Sequence, residues 1–213
     1  MSGGPGTLAW APALDAPDLL AAPVRAALSA WAGRDPAAAS TVLVAPIDAD
    51  LADTAAFCAA YEVEPQESVN CVVVAGRRGE LTSYAACLVQ ATRRADVNGV
   101  VRKALEARKA SFAPMDDAVS MTGMEYGGIT PLGIPDGWPV LVDADAHAHP
   151  GLVVIGSGLR RSKIALPAAR LSELAGASVI ASRNPASPAR AGCGRRPRRR
   201  RAAGRSARPH EQP

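Results

Sequence analysis

Aromatic residues make up only 4% of this chain of 213 residues. A core built on stacked rings is therefore excluded. Apolar residues reach 48%, so the core has to come from Val, Leu, Ile and Ala. Long apolar runs are missing as well. Nothing approaches the roughly 20 consecutive apolar residues that a membrane helix needs. No Lys or Arg precedes Arg25, so the basic-then-apolar pattern of a secretory leader is absent. The expectation is a cytoplasmic protein with no membrane partner. Cysteine is scarce: four residues, at 58, 71, 87 and 193, form no CxxC pair and no zinc-ligand spacing. Cys71 and Cys87 lie in apolar stretches, where a free thiol packs as a small hydrophobe. His147 and His149 stand near Asp143 and Asp145 without a further partner at ligand spacing, so no metal is expected. No Ser-His-Asp or Cys-His arrangement, Walker loop, dinucleotide fingerprint or internal repeat is present. No cofactor is expected.

What charge there is lies unevenly. The formal net charge of +4 arises from the end of the chain, where residues 183–213 hold ten Arg and one Glu. Residues 1–182 hold 14 basic and 19 acidic side chains. Within them the 77–109 region has eight basic and three acidic residues. A nucleic acid bound to the body would meet that region first. The Arg-rich tail has no apolar periodicity and is expected to be disordered. It reads either as an RNA-binding arm or as a segment without function, such as a reading-frame change would produce.

The length suits one domain with tails: a segment over 1–40 with one short helix, a domain over 41–182, and the tail over 183–213. Residues 1–14 are rich in Gly, Pro and Ala, and poor order is expected there. A helix over about 23–32 would turn Val24, Leu28 and Trp31 to one side and end at Gly33. Thr41–Ile47 reads as a strand. Asp50–Tyr61 reads as a helix capped by Asp53, with Ala56, Phe57 and Ala60 on one face. A hairpin follows, with strands over 70–76 and 81–91 around RRGE. Asp96 would cap a helix over 97–109 whose outer side holds Arg102, Lys103, Arg108 and Lys109. A short strand, Pro114 and a helical turn ended by Gly123 come next. Strands over 139–146, 151–158 and 162–166, a short helix over 167–174 and a strand over 177–180 complete the pattern. Hairpins mixed with crossovers imply a mixed sheet of α/β (α+β) character.

Two glycine loops could hold an oxygen-rich ligand. Gly127-Gly128 in GMEYGGITPLGIP (123–135) lets a ligand approach the backbone, and exposed amides there would hold a carbonyl or phosphate oxygen. A tight structural loop is the other reading. Gly156-Ser157-Gly158, followed by Arg160, Arg161 and Lys163, would wrap a phosphate or serve as a hairpin turn with solvated charges.

Taken in order, NCVVVAG, DVNGVVRKALEARKASFAP, TGMEYGGITPLGIPDGWPVLVDADA and VVIGSGLRRSKIALPAARLSELAGASVI resemble the YbaK/EbsC family. That family is similar to the editing insertion domain of bacterial prolyl-tRNA synthetases. The resemblance runs from about Val42 to Ile180. It implies a mixed, partly barrel-like sheet with flanking helices. It implies a trans-editing deacylase that hydrolyses mischarged tRNA, of the Cys- or Ala-tRNA(Pro) type. The alternative is a catalytically silent module of the same fold that binds tRNA ends or a small amino-acid-like ligand. The implied partners are tRNA and prolyl-tRNA synthetase. Carried over, Gly128 and Thr130 belong to the catalytic loop. Tyr126, Gly127, Ile129, Pro131, Asp143, Gly156, Ser157 and Gly158 belong to the substrate pocket. Arg102, Lys103, Arg160, Arg161 and Lys163 would bind tRNA. Deacylating members carry a lysine just before the first apolar hairpin strand. Here that catalytic position is Asn70, which can hydrogen-bond but supplies no cation.

Overall fold

The computed structural model of the protein describes residues 3–181. The Arg-rich tail and Cys193 lie outside the described residues. Among the described residues no helix is long and apolar enough to cross a membrane.

The β-branched and alternating runs form strands, and these divide into two sheets. The first sheet is four-stranded and antiparallel, in the order β1 (Ala11–Pro12), β2 (Leu43–Pro46), β8 (Ser162–Pro167), β7 (Leu152–Gly156). The second is five-stranded, in the order β5 (Lys109–Phe112), β3 (Val69–Arg78), β4 (Leu81–Gln90), β6 (Val140–Asp143), β9 (Ala177–Ile180). Its β5–β3–β4 part is antiparallel, and β4–β6–β9 is parallel. The sheet is therefore mixed, as the hairpins and crossovers imply. The two sheets meet where Ser68 forms a parallel bridge with Val154 and the Val154 N–H donates to the Glu67 carbonyl at 2.7 Å. That seam gives the partial curl, and no closed barrel forms.

Strand alternation distributes the core. In β7, Val153 and Ile155 point into the main cluster and Val154 points to the other face. In β8, Ile164 and Leu166 face inward and Ala165 outward. In β6, Val140 and Val142 face the main cluster, and Leu141 faces a third cluster with Val74, Cys87 and Val101. Helix α1 (Ala22–Arg34) enters the main cluster through Val24, Leu28 and Trp31, the stripe expected of it. A short α2 (Pro36–Ala39) follows, capped by Asp35. Helix α3 (Thr54–Tyr61) covers the outer face of the first sheet with Phe57. Each fully buried aliphatic or aromatic side chain contributes about 1.5–3 kcal/mol by leaving water.

Several boundaries differ from the sequence pattern. Residues before 41 are joined to the domain: β1 pairs with β2, and α1 fills the main core. Helix α1 runs through Gly33 and ends at Asp35, since Gly33 needs no special backbone angle there. The helix read over 97–109 is only a π turn, Val97–Val101, and one α turn, α4 (Arg102–Ala104). Asp96 caps it as expected, accepting from the Gly99 and Val100 N–H groups. The chain then reverses at Glu106 with φ 49°, and Lys109 enters β5 opposite Arg77. Ladder pairing with β3 overrides the helical spacing of a segment that contains Gly99 and three valines. Asp143 ends β6 by capping the short α6 (Ala144–His147). Asp53 caps α3, and a separate 3-10 turn (Ala49–Leu51) replaces its expected first turn. Helix α5 (Met115–Thr122) starts after Pro114 and stops at Gly123 as read.

Candidate functional site

A groove of about 1150 Å³ opens at the seam between the sheets. Three backbone segments build it. The first is the start of β3, Ser68–Val73, beside the residues Ala52–Thr54 that lead into α3. The second is the end of β7, Val154–Gly156, with Lys163 of β8 opposite. The third is the glycine loop after α5, through Tyr126, Gly127 and Ile129.

The loop is clasped to the turn after β7 by backbone hydrogen bonds. The Gly158 N–H donates to the Gly128 carbonyl at 2.7 Å, and the Glu125 N–H donates to the Gly158 carbonyl at 2.8 Å. The Gly128 N–H donates to the Glu125 carbonyl at 2.9 Å. Gly127 stands at φ 82°, a conformation that side-chain-bearing residues rarely adopt. It is exposed at the groove wall, while Gly128 is buried against the Leu159 backbone. Arg160 ties this wall to its neighbour. Its guanidinium donates to the Tyr126 carbonyl and to the Ala49 carbonyl, both at 3.1 Å. Its backbone N–H donates to the Glu125 carboxylate at 2.6 Å.

Asn70 lies in the groove wall, where its Oδ1 accepts the Thr54 hydroxyl at 2.6 Å. Lys163 also lines the groove and donates to the Ala52 carbonyl at 3.2 Å. Its ammonium lies 5.1 Å from the centre of the Phe57 ring. Burial pushes the Lys163 pKa down from the ordinary lysine value, with Cys58 opposing, Arg160 adding to the fall and the Asp53 carboxylate opposing it. The nearby Cys58 thiol is pushed up by burial, against a lowering hydrogen bond from Ser68. Burial raises Cys71 as well, and Cys87 up to about 12. These thiols stay protonated at neutral pH, so none is an activated nucleophile.

The site residues read from the sequence divide accordingly. Asn70, Tyr126, Gly127, Ile129, Gly156, Arg160 and Lys163 meet in the groove. Gly128, Ser157 and Gly158 stand behind it as the clasp, with the Ser157 hydroxyl 2.7 Å from that of Ser162. Pro131 is buried and lines a different groove with Trp31 and Trp138. Asp143 does not line the groove, and its Oδ1 accepts from the Asp145 N–H at 2.9 Å. Arg102 and Lys103 stand outside it, Arg102 donating to the Asn98 carbonyl at 2.9 Å. Arg161 is exposed and donates to the Asp18 carbonyl at 2.8 Å. His147 meets Ser172, and His149 accepts from the Gly151 N–H.

The sequence pattern does not single out Thr54 and Ser68, which line the groove beside Arg93 and Arg94 of the basic 77–109 region. Nor does it single out the exposed rim formed by Phe112 and Met115 beside Tyr126. No local pattern marks these residues, because the seam between the sheets brings them together. The arrangement offers a neutral amide, a lysine ammonium, the guanidinium groups of Arg93, Arg94 and Arg160, the Asp53 and Asp96 carboxylates, backbone dipoles and an aromatic rim. Such a set suits holding and polarising an ester, with no covalent intermediate on the protein.

Thr130 is fully buried, and among the described residues its hydroxyl has no hydrogen-bond partner. An unpaired buried hydroxyl costs about 1–3 kcal/mol. Thr130→Val keeps the shape and removes that group. Its expected result is a melting temperature equal to or above wild type, with the activity of the site intact. Loss of activity in a stable variant would return the hydroxyl to the chemistry.

A family model of the aminoacyl-tRNA editing domain matches residues 48–174, which include the loop, the seam and Lys163. Solved structures share the fold. One, described as a candidate trans-editing enzyme for prolyl tRNA synthetase, is 21% identical with a TM-score of 0.62, covering 79% of this chain and 99% of its own. Another, from work on grafting epitope backbones onto scaffold proteins, is 22% identical with a TM-score of 0.63, covering 78% and 97%. A third, a hypothetical protein, is 19% identical with a TM-score of 0.61, covering 73% and 97%. At these identities the likeness concerns the fold. No curated protein matches the chain.

Proposed function

The chain belongs to the aminoacyl-tRNA editing domain family, and from that premise we propose that it is a trans-editing deacylase of mischarged tRNA, of the Cys- or Ala-tRNA(Pro) kind. The family's role is editing deacylation, and its macromolecular substrate is tRNA. The finer reading takes residues 41–182 as the deacylase domain and prolyl-tRNA synthetase as the partner whose errors it corrects. A structure of the same fold is described as serving that synthetase.

The observation that carries the proposal is the groove in which the loop backbone at Tyr126–Gly127, the amide of Asn70 and the Lys163 ammonium come together. The aminoacyl ester is already activated, so positioning and charge stabilisation suffice. Water, or the ribose hydroxyl of the substrate acting on it, attacks the ester carbonyl. The aminoacyl side chain lies against Ile129 and the Gly156 backbone, and pocket size rejects the larger correct amino acid. The exposed rings of Tyr126 and Phe112 at the mouth give the unpaired bases of the tRNA end a stacking surface, with Arg94 beside them for phosphate.

Asn70 supports a second reading, a silent module that holds the tRNA end without cleaving it, because its amide is neutral. Release of free amino acid from Cys-, Ala- and Pro-tRNA(Pro), measured with tRNA binding on the same samples, separates the two. The expected result is hydrolysis of a mischarged species with Pro-tRNA(Pro) spared. Binding without release in every case would favour the silent module, and neither binding nor release would remove both readings.

A further inference from the structure

We infer that Lys163 is a catalytic residue whose ammonium is the cation that stabilises the ester oxyanion. The inference rests on the deacylase reading. Register places the side chain. Lys163 pairs directly with Gly156 across β7 and β8, so both Cβ positions share one face of the sheet. Their neighbours at a spacing of two, Val154 and Ala165, face the cluster around Phe57. A Cβ on Gly156 would run into the carbonyl oxygens of Gly128 and Ile129. The glycine loop therefore crosses the same face of the sheet, next to Lys163.

The other cations lining the groove are committed or peripheral. Arg160 holds two backbone carbonyls of the wall, and Arg93 pairs with Asp145. Arg94 is exposed at the rim. Lys163 is half-buried and donates one hydrogen bond, to the Ala52 carbonyl, which leaves two N–H donors. Among the described residues it forms no ion pair. A partly desolvated ammonium without a bound carboxylate is predisposed to stabilise a negative charge that develops beside it.

The step balances without a cofactor. A water oxygen forms a bond to the ester carbonyl carbon, and the carbonyl π pair moves onto its oxygen. Lys163 donates a hydrogen bond to that oxyanion and keeps its proton. When the pair returns, the bond from the carbonyl carbon to the ribose oxygen breaks. The ribose oxygen leaves with the proton lost by the water. The products are the free amino acid and tRNA with a free terminal hydroxyl.

The test uses the full chain and a mischarged tRNA that wild type hydrolyses. Lys163→Met is expected to lower kcat on the order of a hundredfold to a thousandfold, with KM within about threefold of wild type. Lys163→Arg keeps the charge and should retain more activity than Lys163→Met. Adding Asn70→Lys to Lys163→Met returns a cation to the groove, beside the same Ala52–Thr54 segment that Lys163 contacts, and should recover part of the lost kcat. Lys163→Gln keeps a donor for the Ala52 carbonyl and decides the matter if Lys163→Met does not fold. Wild-type kcat in a folded Met or Gln variant, or a loss confined to KM, would overturn the inference alone. An inactive wild type would overturn the deacylase reading and this inference with it.

Discussion

Gly128→Val is expected to lower deacylation kcat/KM by about a hundredfold or more while leaving the protein folded. A Cβ at Gly128 would fall 2.6 Å from the Leu159 carbonyl carbon and oxygen and 2.8 Å from its nitrogen. All three are backbone atoms, so no rotamer change relieves the clash. The loop cannot shift freely either, because Gly128 accepts from Gly158 and donates to Glu125, and Glu125 donates back to Gly158. Valine has to break that clasp and move the loop away from the turn after β7. A misplacement of about 1 Å is enough to cost on the order of a hundredfold in rate. Most of the core lies elsewhere, among α1 and the strands, so the fold should survive. Single-turnover release of amino acid, beside a thermal melt, checks this. A folded variant with wild-type turnover would remove the loop from the site. At Gly127 the obstacle is different: a Cβ meets only the Nη1 end of Arg160, but the backbone stands at φ 82°, so a side chain is strained there by conformation.

The fold was largely legible because its strands alternate cleanly. Val153, Val154 and Ile155 take opposite faces in turn, and so do Ile164, Ala165 and Leu166. The hairpin read around RRGE pairs from Val69 and Gln90 to Arg78 and Leu81. The spacing over 97–109 predicts a helix that forms only over its first two turns, because spacing is local information and the fate of the segment is decided by distant pairing. Lys109 and Ala110 are taken up by Arg77 and Gly76 across the sheet edge. Residue-level periodicity has no term for that competition.

The candidate site was legible where backbone geometry dictates residue type. Gly127, Gly128, Gly156 and Gly158 are glycines because of close approach or positive φ, and that requirement shows in the sequence. Ser68 reaches the groove through its bridge to Val154, a contact between segments 86 residues apart in sequence, and Thr54 through the hydrogen bond of its hydroxyl to Asn70. Nothing near either residue announces it. Lys163 illustrates the same limit. Beside Arg160 and Arg161 it reads as one of three solvated cations. Only its register opposite Gly156 separates it from Arg161, which points to Asp18 instead.

Phe57→Ala should destabilise the protein by about 3–5 kcal/mol, a large part of the 5–15 kcal/mol typical of a domain. Phe57 is 1% exposed and is the largest side chain of a small cluster with Ile47, Ala52, Val63, Val154 and Ala165. Among the described residues the other rings packed against this cluster are Trp10, whose Nε1 donates to the Pro5 carbonyl at 2.9 Å, and Tyr61. The Tyr61 ring lies at 5.4 Å, and its hydroxyl is held by the Asp48 N–H. The cavity therefore stays largely open, which is the costly case. Denaturant unfolding with an unchanged m-value and a lowered midpoint would show it. A drop below about 1 kcal/mol would mean that α3 collapses onto the sheet and closes the gap. The ring also supports the ammonium of Lys163 from below. Phe57→Leu restores most of the volume but removes the aromatic face, and the lost cation–π contact is worth about 0.5–2 kcal/mol. That variant should stay folded and lose turnover in proportion to how far Lys163 drifts, so stability and kcat should part company at this one position.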